Sequence, residues 1–318
     1  MGQSNPISVY KPKNHIRMVT ATALFDGHDA AINIMRRILQ ATGVEVIHLG
    51  HNRSVDEIVK AAVEEDVQAV AISSYQGGHL ECFKYMVDLL AEHDAGHIKV
   101  FGGGGGVIIP DEIAELEASG VAKIYAPEDG ARMGLQGIIN HMVESIDVDR
   151  SAGAAPDLSA LSPDNKRLVA RLISAVEAAR EDGRPAAAAL VEEIRAKAGQ
   201  NHVPVIGITG TGGAGKSSLT DELVVRLRHD HPDLDLAIIC CDPSRRKTGG
   251  ALLGDRIRMN AIDSPRVYMR SMATRSSHTE LSNAMRDAIE VAKAAGFDLV
   301  IAETAGIGQG DSQIVDLC

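Results

Sequence analysis

Aromatic residues are scarce in this chain: they make up 3% of its 318 residues, and tryptophan is absent. The apolar volume must therefore come mostly from Val, Ile, Leu and Ala, which suits buried parallel strands flanked by helices. Long apolar runs are also missing, since none reaches the length of a membrane span. Residues 1–12 are polar and do not resemble a signal sequence. We therefore expect no membrane association.

Cysteine and positive charge are limited as well. The four cysteines form neither a C-x-x-C pair nor an evenly spaced framework, which argues against a disulfide scaffold or a zinc site. We therefore expect a cytoplasmic protein. The 32 basic and 43 acidic residues give a net charge of −11. This excess of negative charge argues against nonspecific binding to nucleic acid or to anionic membranes.

The stretch Gly210–Ser217 fits the phosphate-cradling pattern G-x-x-x-x-G-K-[ST] at every constrained position. A predicted strand, Val203–Thr209, enters it, and a predicted helix, Ser218–Leu227, leaves it. Lys216 can neutralise the β and γ oxygens of a nucleoside triphosphate, and the Ser217 hydroxyl can reach Mg²⁺. We therefore predict nucleotide binding here. The predicted binding residues are Gly210, Thr211, Gly212, Gly213, Ala214, Gly215, Lys216, Ser217 and Ser218.

The first 150 residues alternate apolar strands with helical segments about five times. This repetition predicts a doubly wound α/β fold with a parallel sheet, whose ligand is expected outside the carboxyl ends of the strands. The predicted strands are Ile16–Leu24, Val44–Leu49, Val67–Ser73, Ile98–Phe101 and Val121–Tyr125.

Three loops follow predicted strands at that edge of the sheet. They are Phe25–Ala31, Ser73–His79 and Gly102–Gly106. His28 follows Asp26 by two positions, so its ring could offer one nitrogen to a metal while the carboxylate holds the other. By itself this pair is weak evidence, and a solvated loop histidine is the better interpretation. Small residues in the neighbouring loops leave room for a bulky ligand, and the three loops together favour a ligand site.

These loops resemble the cobalamin-binding domain of the coenzyme B12-dependent acyl-CoA mutases and methionine synthases. The signature of that family reads Asp-x-His-x-x-Gly, then Ser-x-Leu, then Gly-Gly. The corresponding residues here are Asp26, His28, Ala31, Ser73, Tyr75, Gly105 and Gly106. Two of them depart from the signature. Ala31 adds only a methyl group, whereas Tyr75 changes the expected shape of the channel for the cofactor tail.

The resemblance implies a flavodoxin-like fold with cobalamin as the cofactor. It implies that His28 replaces the dimethylbenzimidazole of the cofactor as the lower cobalt ligand and that Asp26 orients its ring. Ser73 and the pair Gly105 and Gly106 would line the channel for the displaced tail. The loop position of His79 leaves a further ligand contact open.

Two predicted strands in the second half of the chain end in carboxylates. Asp242 lies in Leu236–Ser244, and Glu303 lies in Phe297–Gly306. Carboxylates at strand ends near a phosphate loop are natural direct or water-mediated partners of Mg²⁺. The basic, glycine-rich segment Arg245–Arg256 suits a mobile switch, with a solvated basic loop as the alternative.

This half resembles the G-protein chaperones of the cobalamin mutases, the ArgK/MeaB-like GTPases. After the phosphate loop, the matching stretches in family order are Asp242-Pro243-Ser244, Thr248-Gly249-Gly250, Leu253-Gly254-Asp255 and Glu303-Thr304-x-Gly306. The resemblance implies GTP as the nucleotide, catalytic roles for Lys216 and Glu303, and a switch near the γ-phosphate at Gly306. Gln309 has a weak claim to activate water. The implied magnesium residues are Ser217, Asp242, Asp255 and Glu303.

The domain prediction follows from these motifs and from the composition between them. The small, proline-containing segment Ser151–Pro156 is typical of a boundary. Asp164–Glu181 and Ala186–Ala198 have one-sided helical apolar spacing, so we expect packing against the GTPase domain, with membrane or partner binding as the alternative. The predicted domains are a cobalamin-binding domain in 1–150, a helical connector in 151–200 and an incomplete P-loop GTPase domain in 201–318.

The order of these domains resembles the N-terminal part of the fused isobutyryl-CoA mutases, which carry a chaperone between cofactor and substrate domains. The resemblance implies adenosylcobalamin, Mg²⁺ and GTP as ligands, with GTP turnover gating cofactor loading. It also implies an acyl-CoA substrate bound by a C-terminal domain absent from this chain, and a homodimer when full-length. We expect the chain to be a fragment, because no N-K-x-D guanine-reading loop occurs before Cys318.

A second interpretation is a noncatalytic corrinoid sensor or carrier. In that case the P-loop domain would report its nucleotide state to a partner. Adenosylcobalamin-dependent isomerisation of an acyl-CoA by the full-length protein separates the two interpretations.

Overall fold

The computed structural model describes residues 7–148, 157–182, 185–245, 247–274, 278–304, 306, 314–315 and 317–318. The predicted boundary Ser151–Pro156 and the candidate Gln309 lie outside the described residues. The chain divides into two compact units. Of the described residues, the first unit holds those within Met1–Ala62, Val67–Val148 and Lys247–Leu252, and the second unit holds those within Val63–Asp66, Asp149–Arg246 and Leu253–Cys318.

Strands and helices alternate through much of the chain, and we number them in chain order. The first ten are β1 (Arg17–Ala23), α1 (Ala30–Thr42), β2 (Glu45–Arg53), α2 (Val55–Glu64), β3 (Ala69–Ser73), α3 (His79–Glu92), β4 (Lys99–Gly103), α4 (Pro110–Ala118), β5 (Lys123–Tyr125) and α5 (Pro127–Ile146). The next ten are α6 (Lys166–Asp182), α7 (Pro185–Ala198), β6 (Val205–Ile208), α8 (Lys216–Asp230), β7 (Leu236–Asp242), β8 (Ala251–Leu253), α9 (Asp255–Arg258), β9 (Val267–Ala273), α10 (His278–Ala295) and β10 (Leu299–Glu303).

The first unit is built on a sheet with the strand order β5-β4-β3-β1-β2 and parallel pairing between these neighbours. This is the flavodoxin-like order, and it confirms the predicted doubly wound α/β fold. All seven residues of β1 and all five of β3 are buried, as expected of central strands covered on both faces. Each strand predicted in the first 150 residues is present.

The strand β2 is longer than the sequence pattern predicted. Its pairing with β1 continues past Leu49 to Arg53, with register shifts between Thr20 and Ala23. Gly50 lies within this irregular stretch at a φ of 83°, in the left-handed region that favours glycine. Because the alternation of apolar residues stops at Leu49, the polar end of the strand could not be predicted from that pattern.

A buried histidine makes the first unit sensitive to acid. His48 in β2 is 4% exposed, and its Nδ1 lies 2.9 Å from the Thr20 hydroxyl. Burial, together with the positive charge of Arg36, lowers the pKa of His48 from 6.5 to about 4. As the pH falls, the unfolded chain therefore binds this proton before the folded chain does. The stability that the neutral ring contributes is full above pH ~6.5 and is lost toward pH ~4.

We expect His48→Gln to reduce the loss of stability on acidification. A fall of the pKa from 6.5 to about 4 corresponds to ~3 kcal/mol of unfolding free energy over the whole titration range, of which the wild-type chain loses ~2 kcal/mol between pH 7 and pH 5 and the variant loses none. Urea unfolding at pH 7 and at pH 5 measures the difference, with the exposed His51→Gln on the same strand as the matched control. Equal pH dependence in wild type and His48→Gln would contradict this account.

The segment Lys247–Leu252 belongs to the first unit, where β8 lies beside β2 at the edge of the sheet. The Ala251 amide donates to the Val44 carbonyl at 3.2 Å, and the Thr248 hydroxyl donates to the Gln40 carbonyl at 3.2 Å. A Cβ at Gly250 would collide with the same Gln40 carbonyl, so this close approach requires glycine. The sequence predicted a mobile switch here, and the short strand went unpredicted because its pairing partner is distant in the chain.

The second unit contains a four-stranded sheet in the order β6-β10-β7-β9, and its pairs are parallel. The strand β9 was not predicted. All seven of its residues are buried, but Arg270 and Ser271 interrupt the apolar pattern that marks a central strand. The predicted strands on either side of the phosphate loop and before Glu303 are present as β6, β7 and β10.

Helices α6 and α7, predicted as a connector, pack into a core of the second unit. Their buried apolar residues share one cluster with residues of β7, β9 and α10. This packing agrees with the one-sided apolar spacing of their sequences. Of the described helices, none combines the length and the apolar character that a membrane span requires.

Candidate functional site

The first site is formed by the loops that follow β1, β3 and β4. These strands are neighbours in the sheet, so parallel pairing brings their carboxyl ends to one edge. Thr22 of β1 pairs with Ser73 of β3, and Ser73 pairs with Gly103 of β4. The predicted residues Asp26 and His28 follow β1 directly. The three loops that the sequence singled out therefore start from strand ends at the same level.

The Asp26 carboxylate fixes the position of His28. Its Oδ1 accepts a hydrogen bond from the His28 backbone amide at 2.8 Å and lies 2.8 Å from the ring Nδ1. The Asp26 side chain is fully buried, whereas the His28 side chain is 75% exposed. A proton on Nδ1 that points to the carboxylate leaves Nε2 with its lone pair available. An exposed imidazole oriented in this way can act as a metal ligand.

Further contacts keep the Asp26 carboxylate ionised. Its Oδ2 accepts a hydrogen bond from the backbone amide of Tyr75. Burial by itself would raise the pKa of Asp26, but the hydrogen bonds from the amides of Tyr75 and His28 outweigh it and hold the pKa below its ordinary value. The Tyr75 ring centroid lies 5.5 Å from that of His28. The departure from the family signature at Tyr75 therefore adjoins the predicted cobalt ligand.

A row of buried hydroxyls lies at the ends of β1 and β3. The Oγ1 of Thr22 and the Oγ atoms of Ser73 and Ser74 are buried and have no hydrogen-bond partner among the described residues. A buried hydroxyl without a partner is costly, and such groups in native proteins point to a missing ligand or water. The row therefore fits a polar ligand that passes beside Ser73, as the tail of a corrinoid would.

The glycine run at the end of β4 and in the loop after it has two different reasons for its composition. A side chain at Gly102 or Gly104 would collide with Phe83 or with the Ser74 carbonyl, so these glycines allow close packing within the unit. Gly105 has a φ of 58°, and a Cβ there would press on the Tyr75 ring. A Cβ at Gly106 would have no atom within 4 Å. Gly106 is thus the member of the predicted pair with room for a ligand.

The possible ligand contact at His79 is not favoured by the structure. The side chain is 4% exposed, its Nδ1 lies 3.1 Å from the Gln76 carbonyl, and its Nε2 lies 3.0 Å from Glu112 Oε2. Both ring nitrogens are therefore engaged within the unit. His79 ties the loop after β3 to the start of α4, where Glu112 also accepts from the Ile109 amide at 3.0 Å.

We expect Asp26→Asn to weaken corrinoid binding by ~10–100-fold, the usual effect of removing the partner of a ligating histidine. The amide cannot accept all of the hydrogen bonds that the carboxylate takes from Tyr75 and His28. Cobalamin titration followed by absorption measures the change, with Asp29→Asn in the same loop as the control. Wild-type affinity in Asp26→Asn would show that the carboxylate does not support the ligand.

The second site is formed by the phosphate loop between β6 and α8. Gly210, Gly213 and Gly215 have φ values of 145°, 81° and 86°, which favour glycine at these turns. The Lys216 ammonium donates to the carbonyls of Gly210 at 3.0 Å and Thr211 at 3.3 Å. The lysine therefore closes over the loop in which phosphates would lie. This strand, loop and helix arrangement is the context that the motif requires.

Glu303 at the end of β10 contacts the start of α8. Its Oε1 accepts from the Ser217 hydroxyl at 2.6 Å, and its Oε2 accepts from the Thr220 hydroxyl at 2.8 Å. A Cβ on Gly306 would collide with the Lys216 ammonium, so the chain after β10 passes beside the phosphate loop. The predicted residues Lys216, Ser217, Glu303 and Gly306 thus lie together.

A pair of carboxylates, Asp242 and Asp255, lies in the same unit. Burial, with the negative charge of Asp255 adding to it, raises the pKa of Asp242 to about 7. The Gly254 amide donates to Asp242 Oδ2 at 3.3 Å. Asp255 is 4% exposed, and its Oδ2 has no hydrogen-bond partner within the described part of the chain. A half-buried carboxylate and a buried one that repel each other favour a nearby cation.

The magnesium residues expected from the resemblance form two pairs rather than one cage. Ser217 contacts Glu303, while Asp242 is influenced by Asp255. Among the described residues, no group of three or more His, Cys, Asp or Glu side chains is placed to hold a metal ion. Mg²⁺ usually keeps several waters and uses one or two carboxylates together with substrate phosphates. These residues therefore fit a magnesium ion that binds with the nucleotide.

Sequence reasoning missed three hydroxyl residues at these sites. Thr22 and Ser74 extend the hydroxyl row at Ser73, and Thr220 shares Glu303 with Ser217. Thr220 lies one helical turn after Lys216, so the helical spacing could have identified it. The hydroxyls of Thr22 and Ser74 carry no motif, and only their burial without a partner marks them.

Two family comparisons match successive, separate parts of the chain. Residues 16–135 match the B12 binding domain family, and residues 169–318 match the family described as methylmalonyl Co-A mutase-associated GTPase MeaB. The matches cover the first and second sites respectively. The predicted order, a B12-binding domain followed by a MeaB-like GTPase domain, is therefore confirmed.

Three curated relatives are similar over nearly the whole chain, and each is described as a fused isobutyryl-CoA mutase. The protein of Geobacillus kaustophilus is 62% identical over 98% of this chain. Those of Cupriavidus metallidurans and Nocardia farcinica are 61% and 56% identical over 96% and 97% of it. The chain spans 29%, 27% and 28% of the lengths of these three relatives.

Proposed function

We propose that this chain is the cofactor and chaperone part of an adenosylcobalamin-dependent acyl-CoA mutase, because it matches a B12-binding family and a MeaB GTPase family within the region that is similar to the fused isobutyryl-CoA mutases. One observation carries the proposal: both domains occur in the same chain and in the same order, with 62% identity to a protein of that description over 98% of the chain.

In this proposal the first unit holds the corrinoid through His28. The Asp26 carboxylate keeps the proton on His28 Nδ1, so that Nε2 is the ligating atom. The row of unpartnered hydroxyls at Thr22, Ser73 and Ser74 accepts the tail of the cofactor. When bound, adenosylcobalamin supplies a cobalt–carbon bond whose cleavage starts radical chemistry.

The second unit binds and hydrolyses GTP in this proposal. Lys216 neutralises the β and γ phosphates, and the loop amides cradle them. Ser217, Glu303, Asp242 and Asp255 hold Mg²⁺ directly or through water. Guanine preference follows from the MeaB relationship, and turnover of GTP against ATP tests it.

Gating of cofactor loading by GTP is part of the proposal. The segment Lys247–Leu252 belongs to the first unit, whereas Asp242 and Asp255, which flank it in the chain, belong to the second. A change at either carboxylate therefore reaches β8 through a few covalently linked residues. A short strand of this kind suits a switch in which the segment changes between an ordered and a disordered state.

The remaining parts of the proposal concern the intact protein. They rest on the resemblance stated in the sequence analysis: the acyl-CoA substrate would bind to a separate C-terminal domain, and the intact protein would be a homodimer. A cytoplasmic location stays a prediction that rests on the spacing of the cysteines and on their free state in the structure.

The experiment is conversion of isobutyryl-CoA to n-butyryl-CoA by the intact protein with adenosylcobalamin. We expect isomerisation that requires the cofactor. Tight binding of corrinoid and GTP without isomerisation of any short acyl-CoA would contradict the mutase proposal and support the corrinoid sensor or carrier.

A further inference from the structure

A cluster of buried charges lies within the second unit, away from the phosphate loop in sequence. Residues 63–66, at the end of α2, belong to this unit. Glu64 and Glu65 are 1% and 0% exposed, and Arg256 is 5% exposed. We call these three residues the glutamate clamp. Neither motif accounts for them.

The clamp holds the Arg256 guanidinium in one orientation. The Arg256 Nε donates to Glu65 Oε1 at 2.8 Å. One terminal nitrogen of the same guanidinium donates to Glu64 Oε2 at 2.9 Å and to the Met269 carbonyl at 2.6 Å. The Glu65 carboxylate also accepts from the Ser271 amide at 3.0 and 3.1 Å. A planar guanidinium bonded through Nε and through one terminal nitrogen cannot rotate without breaking several bonds.

Two further bonds fix Glu64. The Lys166 ammonium lies 3.2 Å from Glu64 Oε1, and the Tyr268 hydroxyl donates to the Glu64 carbonyl at 3.1 Å. These contacts satisfy the polar groups of a site that excludes water. A buried ion pair with satisfied hydrogen bonds is tolerated, whereas removal of one partner leaves an uncompensated charge.

Arg256 is the residue after Asp255, and both lie in α9. This helix has four residues, too few to be stable by itself. Its position therefore depends on the side chains that anchor it. The Arg258 side chain donates to Asp255 Oδ1 at 2.7 Å but is partly exposed, so the buried anchor of α9 is Arg256. The Gly254 amide, just before α9, donates to Asp242 at 3.3 Å.

We propose that Glu65, with Glu64 and through Arg256, positions Asp255 for the magnesium ion of the GTP site. The inference rests on the proposed GTPase function. Glu65 and Arg256 are positioning residues, because they act on Asp255 through α9 and do not themselves contact the nucleotide. Substitution of Glu65 or Arg256 should move Asp255 relative to Asp242. Binding of the magnesium ion then becomes weaker, although no ligand of the ion has been removed.

The test compares Glu65→Gln with Glu177→Gln in the intact protein. Glu177 pairs with another buried arginine of the second unit, Arg270, at 3.0 Å. Both substitutions remove a buried carboxylate charge, so both are expected to lower the melting temperature. Arg270 keeps its bonds to Ser174 and to the Glu65 carbonyl, and α9 is untouched.

The measurements are the Kd of Mg²⁺ for the protein bound to a nonhydrolysable GTP analogue, by calorimetric titration, and the Mg²⁺ concentration that gives half-maximal GTP hydrolysis at saturating GTP. We expect Glu65→Gln to raise both values ~10-fold or more, which is the usual loss of metal affinity when a group that orients a metal ligand is removed. Glu177→Gln should leave both at the wild-type values. If Glu65→Gln does not fold, Arg256→Lys serves instead. Lysine keeps the positive charge but cannot bond to Glu65 and Glu64 through two different nitrogens of one planar group.

Two outcomes would overturn the proposal in different ways. An unshifted Mg²⁺ requirement in Glu65→Gln or Arg256→Lys, or an equal shift in Glu177→Gln, would refute the clamp while leaving the GTPase function in place. Wild-type protein that does not hydrolyse GTP in a Mg²⁺-dependent manner would refute the proposed function, and the clamp with it.

Discussion

Replacing His28 by alanine is expected to abolish the spectrum of corrinoid bound with histidine in place of its benzimidazole and to weaken cobalamin binding by more than about 100-fold. The substitution removes the ligating atom itself, so its effect should exceed the ~10–100-fold loss that follows removal of a supporting group. The His28 side chain is 75% exposed, and its removal should leave the fold intact.

Absorption spectra recorded during cobalamin titration report both quantities. The matched control is His51→Ala, which removes an exposed histidine of the same unit. Unlike His28, His51 has no aspartate two positions before it, and it lies within β2 rather than in one of the three loops of the first site. Unchanged melting behaviour in both variants would assign the loss to the cobalt bond. Tight binding with an unchanged spectrum in His28→Ala would remove His28 from the site.

Replacing Lys216 by alanine is expected to reduce GTP hydrolysis by ~10³-fold or more, because a cation at the phosphates stabilises the charge of the transition state. The ammonium lies within hydrogen-bonding distance of the Gly210 and Thr211 carbonyls, at the loop where phosphates would bind. Corrinoid binding should be retained, because Lys216 belongs to the second unit and His28 to the first.

Initial rates of phosphate release in the intact protein measure this effect. Lys293→Ala is the control, since Lys293 is a lysine of the second unit whose ammonium lies 3.4 Å from Glu290 within one helix. It should keep wild-type hydrolysis. Hydrolysis at the wild-type rate in a clean preparation of Lys216→Ala would refute the nucleotide assignment.

Local patterns predicted most of the architecture that places the two sites. Apolar runs bounded by glycine or polar loops gave the strands of the first sheet, and the G-x-x-x-x-G-K-[ST] spacing placed the phosphate loop between a strand and a helix. Parallel pairing then explains why loops distant in sequence meet at one edge. These inferences succeed because each depends on neighbours within a few residues.

The features that escaped prediction depend on partners far along the chain. The Arg256 side chain bonds to Glu65, 191 positions away, and nothing near either residue marks it as buried. Arg270 is fully buried in β9, although an arginine in a sequence normally predicts exposure. The strand β8 forms only because Gly250 lets the chain approach α1 and β2. Long-range pairing overrode local propensity at each of these places.

We expect one chain to bind both a corrinoid and GTP, and each ligand to change the affinity of the protein for the other. Calorimetric titration of the intact protein measures this coupling: adenosylcobalamin is titrated with and without a nonhydrolysable GTP analogue, and the analogue is titrated with and without adenosylcobalamin. The account predicts that both affinities change by the same factor, as thermodynamic linkage requires. Identical affinities in both arms, together with unaltered rates of cofactor loading, would contradict it.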